Sequence, residues 1–208
     1  MDVSNPMGDV VPSAHGPVLA VLAAAALPLT GRTIAELTRP RVSQPRVARI
    51  LNQLTHAGLV TRTPAGSASL FLLNREHLAA GAVEALASLR SKLWAQITEH
   101  TNGWRCAPDA VVVYGSAARG DGDADSDIDL LVIRPRAMDS DDPCWQESVT
   151  DLAAWVARWT GNPCEVLDRS ADELNVMAAT GERVLAEIRR DGRALVGSIS
   201  MVPAPQAV

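Results

Sequence analysis

Apolar and polar positions change period several times along the 208-residue chain. Residues 17–26 are a nearly continuous apolar run closed by Pro28, and they read as a first helix. Residues 33–38 read as a short second helix, opened near Arg32 or Thr33 and ended by Pro40. Within 43–56 the apolar residues Val47, Ile50, Leu51 and Leu54 recur at three- and four-residue steps. That spacing predicts a helix with one buried face, Ser43 as its N-cap and Gly58 just beyond its end. Residues 59–63 and 69–73 then read as two short strands about the turn Pro64-Ala65-Gly66-Ser67. Residues 76–100 are rich in Ala, Leu, Glu, Lys and Gln, predicting one helix, or two broken near Gly81.

The stretch 111–133, VVVYGSAARGDGDADSDIDLLVI, organises the rest. It predicts a β-branched strand, a Gly115-Ser116 turn, an acidic loop, and a second strand that opens on Asp127-Ile128-Asp129. On a strand Asp127 and Asp129 share a face while Ile128 turns to the core. Two neighbouring carboxylates repel unless a cation lies between them, and Mg²⁺ takes one or two carboxylates and fills its shell with substrate phosphates. Gly115 allows close approach of backbone N–H groups to a phosphate, Ser116 can donate to one, and Arg119 adds a planar cation. A calcium loop fails as a rival: counted from Asp121, the sixth and twelfth places hold Ser126 and Val132 where glycine and glutamate are needed. Asp121, Asp123 and Asp125 read as solvated loop residues. Further on, 145–159 predicts an amphipathic helix, 164–167 a strand after Gly161-Asn162-Pro163, 171–188 one or two helices, and 194–196 a last strand.

Composition narrows this picture. A hydrophobic share of 47% suffices for a core, and with 3% aromatic residues that core depends on Leu, Val, Ile and Ala. Cys106, Cys144 and Cys164 form no close-spaced pair, which argues against a zinc site or a disulfide framework and suits a reducing, cytoplasmic setting. The apolar run 17–29 is too short to span a bilayer and lacks a basic leader, so no membrane partner is expected. The net charge of −5 is unevenly spread: residues 1–75 carry seven arginines against three acids, +4, which leaves −9 for the remainder. Such asymmetry predicts two modules with different partners.

Both modules resemble known families. Gly115-Ser116, ten residues, then Asp127-x-Asp129, within Gly-Ser-x-Ala-Arg-Gly and Ser-Asp-Ile-Asp-Leu-Leu-Val, resembles the polymerase-β-like nucleotidyltransferases, in particular the minimal branch. Thr33-Ile34-Ala35-Glu36-Leu37, then Ser43, Val47 and Leu51, then Leu54 and Gly58-Leu59-Val60, resembles a winged helix-turn-helix. The fold class implied is α+β: an N-terminal winged helix-turn-helix, then a nucleotidyltransferase domain with a small mixed sheet flanked by helices. The expected organisation is a flexible arm (1–15), the DNA-binding domain (16–75), a linking helix (76–102), the nucleotidyltransferase domain (103–197) and a flexible tail (198–208).

The first resemblance implies nucleotidyl transfer from ATP or another triphosphate to an acceptor hydroxyl, with Mg²⁺ or Mn²⁺ as cofactor. Asp127 and Asp129 would bind the metal and Gly115, Ser116 and Arg119 the nucleotide. Glu165 is the expected third catalytic and metal-binding carboxylate, with Asp168 as the other candidate. Minimal nucleotidyltransferases often act as antitoxins, so a cognate toxin is among the implied acceptors. The second resemblance implies DNA contact by Gln44, Arg46, Arg49 and Gln53 on the recognition helix and Arg62 on the wing, in a homodimer reading two half-sites. Two alternatives stay open: a nucleotide-sensing transcriptional regulator without catalysis, and a winged helix that docks on protein.

Overall fold

In the first part of the chain the apolar spacing resolves into a small helical layer backed by a hairpin. The computed structural model describes residues 1–204, and the chain in it divides into two units: Asn5–Arg90, and Met1–Ser4 with the chain from Ser91 onward. The first unit runs α1 (Pro6–Val10), α2 (His15–Ala24), β1 (Leu29–Thr30), α3 (Gly31–Leu37), α4 (Gln44–His56), β2 (Val60–Ala65), β3 (Ala68–Leu73) and α5 (Ala80–Ala87). Thr30 caps α3 by accepting from the Thr33 N–H. The α4 periodicity holds: Val47, Ile50, Leu51 and Leu54 are all buried, each such apolar side chain contributing about 1.5–3 kcal/mol. They meet Val18 and Leu22 of α2, Ile34 of α3, and Phe71 and Leu73 of β3 in one core. The strands pair antiparallel in the order β1-β3-β2. Residues 64 and 65, read as part of the turn, continue β2 instead, because Pro64 and Ala65 stay in register with Ser69 and Ala68.

The second unit holds α6 (Leu89–Asn102, from Ser91), β4 (Ala110–Tyr114), α7 (Gly115–Arg119), β5 (Ile128–Arg134), α8 (Pro143–Thr160), β6 (Cys164–Ser170), α9 (Ala171–Ala179), α10 (Arg183–Asp191) and β7 (Arg193–Val196). Its sheet runs β6-β5-β4-β7, with β5–β6 parallel and the other pairs antiparallel. The parallel pair needs a crossover, and α8 supplies it. Alternation along β4 and β5 then loads both faces. Val111, Val113, Ile128, Leu130 and Val132 pack on Leu93, Trp94 and Ile97 of α6 and Trp145, Leu152 and Val156 of α8. Val112, Leu131 and Ile133 pack on Leu174, Met177, Leu185 and Ile188 of α9 and α10. This is an α+β chain with a small mixed sheet flanked by helices.

Several boundaries differ from the sequence reading. The segment 76–102 breaks at Ser88, whose hydroxyl donates to Ala85 O (2.9 Å), and Gly81 lies inside α5. The unit division falls in the same segment. Residues 1–15, read as an arm, include α1 with Met7 buried, while Val3 is buried in the second unit's core. The polar composition around these two apolar residues hid them. In the stretch read as a tail, Ile199–Met201 form a short 3-10 turn and Val202 is fully buried, while residues 205–208 lie outside the described residues.

Candidate functional site

The site begins where β4 ends. Gly115 has φ +66°, a left-handed conformation that side chains resist. A Cβ there would also collide with the Asp129 carboxylate. Glycine is therefore required twice at this turn. Where a turn and loop were expected, Gly115 opens the helix α7 itself, which runs to Arg119 and closes at Gly120, whose N–H donates to Ser116 O (2.8 Å). The acidic loop then folds back over Ser116: a Cβ on Gly122 would stand 2.9 Å from its Oγ.

That loop organises itself. Ser126 Oγ donates to Asp123 Oδ1 (2.9 Å) and accepts from the Asp123 N–H (2.9 Å), while the Asp125 N–H donates to Asp123 Oδ1 (3.1 Å). The Ser126 hydroxyl, with the Asp125 N–H, holds the Asp123 carboxyl below the usual carboxylate range. Asp121, Asp123 and Asp125 are exposed, in keeping with their reading as solvated loop residues.

Strand register brings two carboxylates side by side. Asp129 pairs with Tyr114 on one side and with Glu165 on the other. Asp127 is exposed and stands one residue before β5 rather than within it. Burial pushes the Asp129 carboxyl up, and the charges of Glu165 and Asp127 push it further, with Arg119 opposing. Among the described residues no three His, Cys, Asp or Glu side chains converge as a metal-ligand set. The donor chemistry nevertheless fits a hard divalent cation: a desolvated carboxylate flanked by two others is the arrangement such a cation relieves.

Arg119 sits beside this cluster but is engaged elsewhere. Its Nε donates to Asp121 Oδ2 (2.9 Å) and its Nη1 to Asp191 Oδ2 (3.4 Å). Asp168 is on the other face of β6. Its Oδ2 accepts from Arg134 Nη1 (2.7 Å) and Trp145 Nε1 (3.0 Å), which ties it to the face covered by α8, away from Asp129.

Three residues escaped the sequence reading. Tyr114, directly before Gly115, has its hydroxyl pushed up to about 12, by burial first and then by Asp129, Glu165 and Glu187. Glu187 also acts on Asp129 from α10. Asp191, four residues on, holds Arg119 and Arg190 and stays below the usual carboxylate range, chiefly through Arg190. The signal was the i, i+4 spacing of two acids on one helix, but the sequence did not say that α10 would pack on α7.

Residues 97–159 match the family described as nucleotidyltransferase domain. The nucleotidyltransferase match takes in Gly115, Ser116, Arg119, Asp127 and Asp129; it stops before Glu165 and does not reach residues 16–75. No curated protein matches the chain. A solved toxin–antitoxin structure with AMP-PNP is similar over 50% of this chain and 73% of its own, at 19% identity and TM-score 0.37. The archaeal chromatin protein TrmBL2, described as showing a novel mode of DNA binding, is similar over 90% of this chain and 78% of its own, at 12% identity and TM-score 0.28. At such scores neither likeness carries an argument.

Outside the nucleotidyltransferase segment, α4 presents Gln44, Arg46, Arg49 and Gln53 on its exposed side. Gln53 Oε1 lies 3.1 Å from His15 Nε2. Arg62, exposed on β2, donates to Ser69 Oγ (2.9 Å) and lies over the Phe71 ring at 6.0 Å. Cys106, Cys144 and Cys164 are free thiols. Among the described residues no helix is long and apolar enough to cross a membrane.

Proposed function

We propose that this chain is a metal-dependent nucleotidyltransferase with a DNA-binding N-terminal unit, transferring a nucleotide from ATP or another triphosphate to an acceptor hydroxyl. One observation carries the reading. Strand register sets Asp129 between the Gly115 turn and Glu165, so a turn suited to phosphate and a pair of carboxylates share one end of the sheet. Asp127, Asp129 and Glu165 would hold Mg²⁺ or Mn²⁺, which supplies charge neutralisation on the phosphates and a lower pKa for the acceptor hydroxyl.

The residues do the rest by placement. Gly115 lets the turn backbone approach the β- and γ-phosphates, and Ser116 Oγ donates to them. Arg119 assists once its guanidinium turns from Asp121 to phosphate. The acceptor oxygen forms a bond to the α-phosphorus, the bond to the bridging oxygen breaks, pyrophosphate leaves, and the hydroxyl proton passes to the carboxylate cluster. Alignment of these groups carries the rate. A toxin hydroxyl is one acceptor class that this reading covers.

In the N-terminal unit, helix, strand, two helices and hairpin follow in the order of a winged helix-turn-helix, which supports α4 as the helix that enters the major groove. A homodimer would place two such helices on paired half-sites.

A second reading, a nucleotide-sensing regulator that does not transfer, is favoured by Arg119 being held by two carboxylates. Incubating the protein with Mg²⁺, each α-labelled triphosphate in turn and a cell lysate separates the two. Label on a protein or RNA supports transfer; bound nucleotide with no transferred label supports the sensor.

A further inference from the structure

We propose that Asn162 is a positioning residue for Asp127, acting through the loop in front of it; this rests on the transferase reading of the site. Asn162 lies in the turn between α8 and β6 and is 1% exposed. Both Nδ2 protons are used, on Ala124 O and Ser126 O, each at 2.9 Å. The next carbonyl, Pro163 O, accepts from the Ile128 N–H at 2.9 Å. Asp127 stands between Ser126 and Ile128, so the backbone on both its sides is tied to one turn. Two residues further, the same turn delivers Glu165 into register with Asp129.

The amide is oriented by its surroundings. Its Oδ1 accepts from the Met1 amino group (2.8 Å), and its backbone N–H donates to Thr160 Oγ1 (3.1 Å). The flipped amide would set an oxygen against two carbonyl oxygens, so only the observed orientation satisfies every group. The Asp127 side chain is exposed and gains nothing from core packing. What fixes its carboxylate relative to Asp129 is the backbone, and the buried Asn162 side chain grips that backbone from outside the loop. Metal sites depend on such supporting bonds, because they set ligand direction without touching the ion.

The test compares wild type with Asn162→Asp and Asn162→Ser. Aspartate keeps the shape but has no donor at neutral pH and sets a carboxylate against two carbonyls; serine is too short to reach either one. Hydrogen–deuterium exchange on metal-free protein is expected to rise across residues 122–128 in both variants and to stay unchanged in α9. Titration with Mn²⁺ and a non-hydrolysable ATP analogue, followed by the Mn²⁺ resonance signal, is expected to give a dissociation constant raised about tenfold or more. Unchanged exchange together with unchanged Mn²⁺ affinity would overturn the proposal. So would loss of cooperative unfolding in both variants, which would make Asn162 a core residue of the whole unit. A wild type that binds no Mn²⁺ would instead overturn the transferase reading. The exchange result would then decide Asn162 by itself, a local rise upholding its grip on the loop and no change rejecting it.

Discussion

Gly115 carries two constraints at once, a left-handed φ and no room for a Cβ beside the Asp129 carboxylate. Gly115→Ala is expected to move the turn off Asp129 and lower the transfer rate by about a hundredfold, as a small misplacement can; a steady-state rate assay checks it. Asp129 tells the complementary story. Its folded-state pKa is raised by burial and by Glu165 and Asp127, so the stability linked to its protonated form is present below the usual carboxylate pKa and lost as pH rises through the raised one. Metal-free Asp129→Asn protein is therefore expected to melt above wild type at neutral pH, with the gap closing as pH falls to about 4. Thermal unfolding across that range measures it. Added Mg²⁺ is expected to raise wild type alone.

At the scale of elements, the two candidate third carboxylates part company. Glu165 stands beside Asp129, whereas Asp168 binds the buried Arg134 and the Trp145 indole that anchors α8. Asp168→Asn is expected to cost about 3 kcal/mol, because it breaks a buried ion pair, and to leave transfer per folded molecule nearly intact. Glu165→Gln is expected to do the reverse: little change in denaturant midpoint and loss of most transfer. Urea titration and the rate assay read the two together. Much of this was legible in advance. The spacing of Val47, Ile50, Leu51 and Leu54 gave α4 within a residue, and the Gly-Ser and Asp-x-Asp string gave β4 and β5, although Gly115-Ser116 opens the short helix α7 and β5 begins at Ile128, after Asp127. What stayed hidden depends on long-range packing. Glu187 and Asp191 reach the site only because α10 packs on α7 and β4. Asn162 looked like an ordinary turn residue until its amide met Ala124 and Ser126. Val3 and Met7 were masked by polar neighbours.

Over the whole molecule, residues 1–75 carry a balance of +4 and the remainder −9. If α4 enters the major groove, Arg46→Ala and Arg49→Ala are each expected to weaken DNA binding and to reduce the slope of log affinity against log salt by about 1 when the contact is to phosphate. Gel-shift titrations at several salt concentrations check this, and an unchanged slope in both would instead favour a protein-docking role for that unit. The proposed reaction joins an acceptor oxygen to an α-phosphorus beside Asp127 and Asp129. Its most direct test places ATP labelled at the α-phosphate, and separately at the γ-phosphate, with protein, Mg²⁺ and lysate, beside the Asp127→Ala/Asp129→Ala variant. Acceptor labelled from the α position only, and only by wild type, is the expected result. Nucleotide that binds without any α-label reaching an acceptor, or equal labelling by the variant, would contradict it.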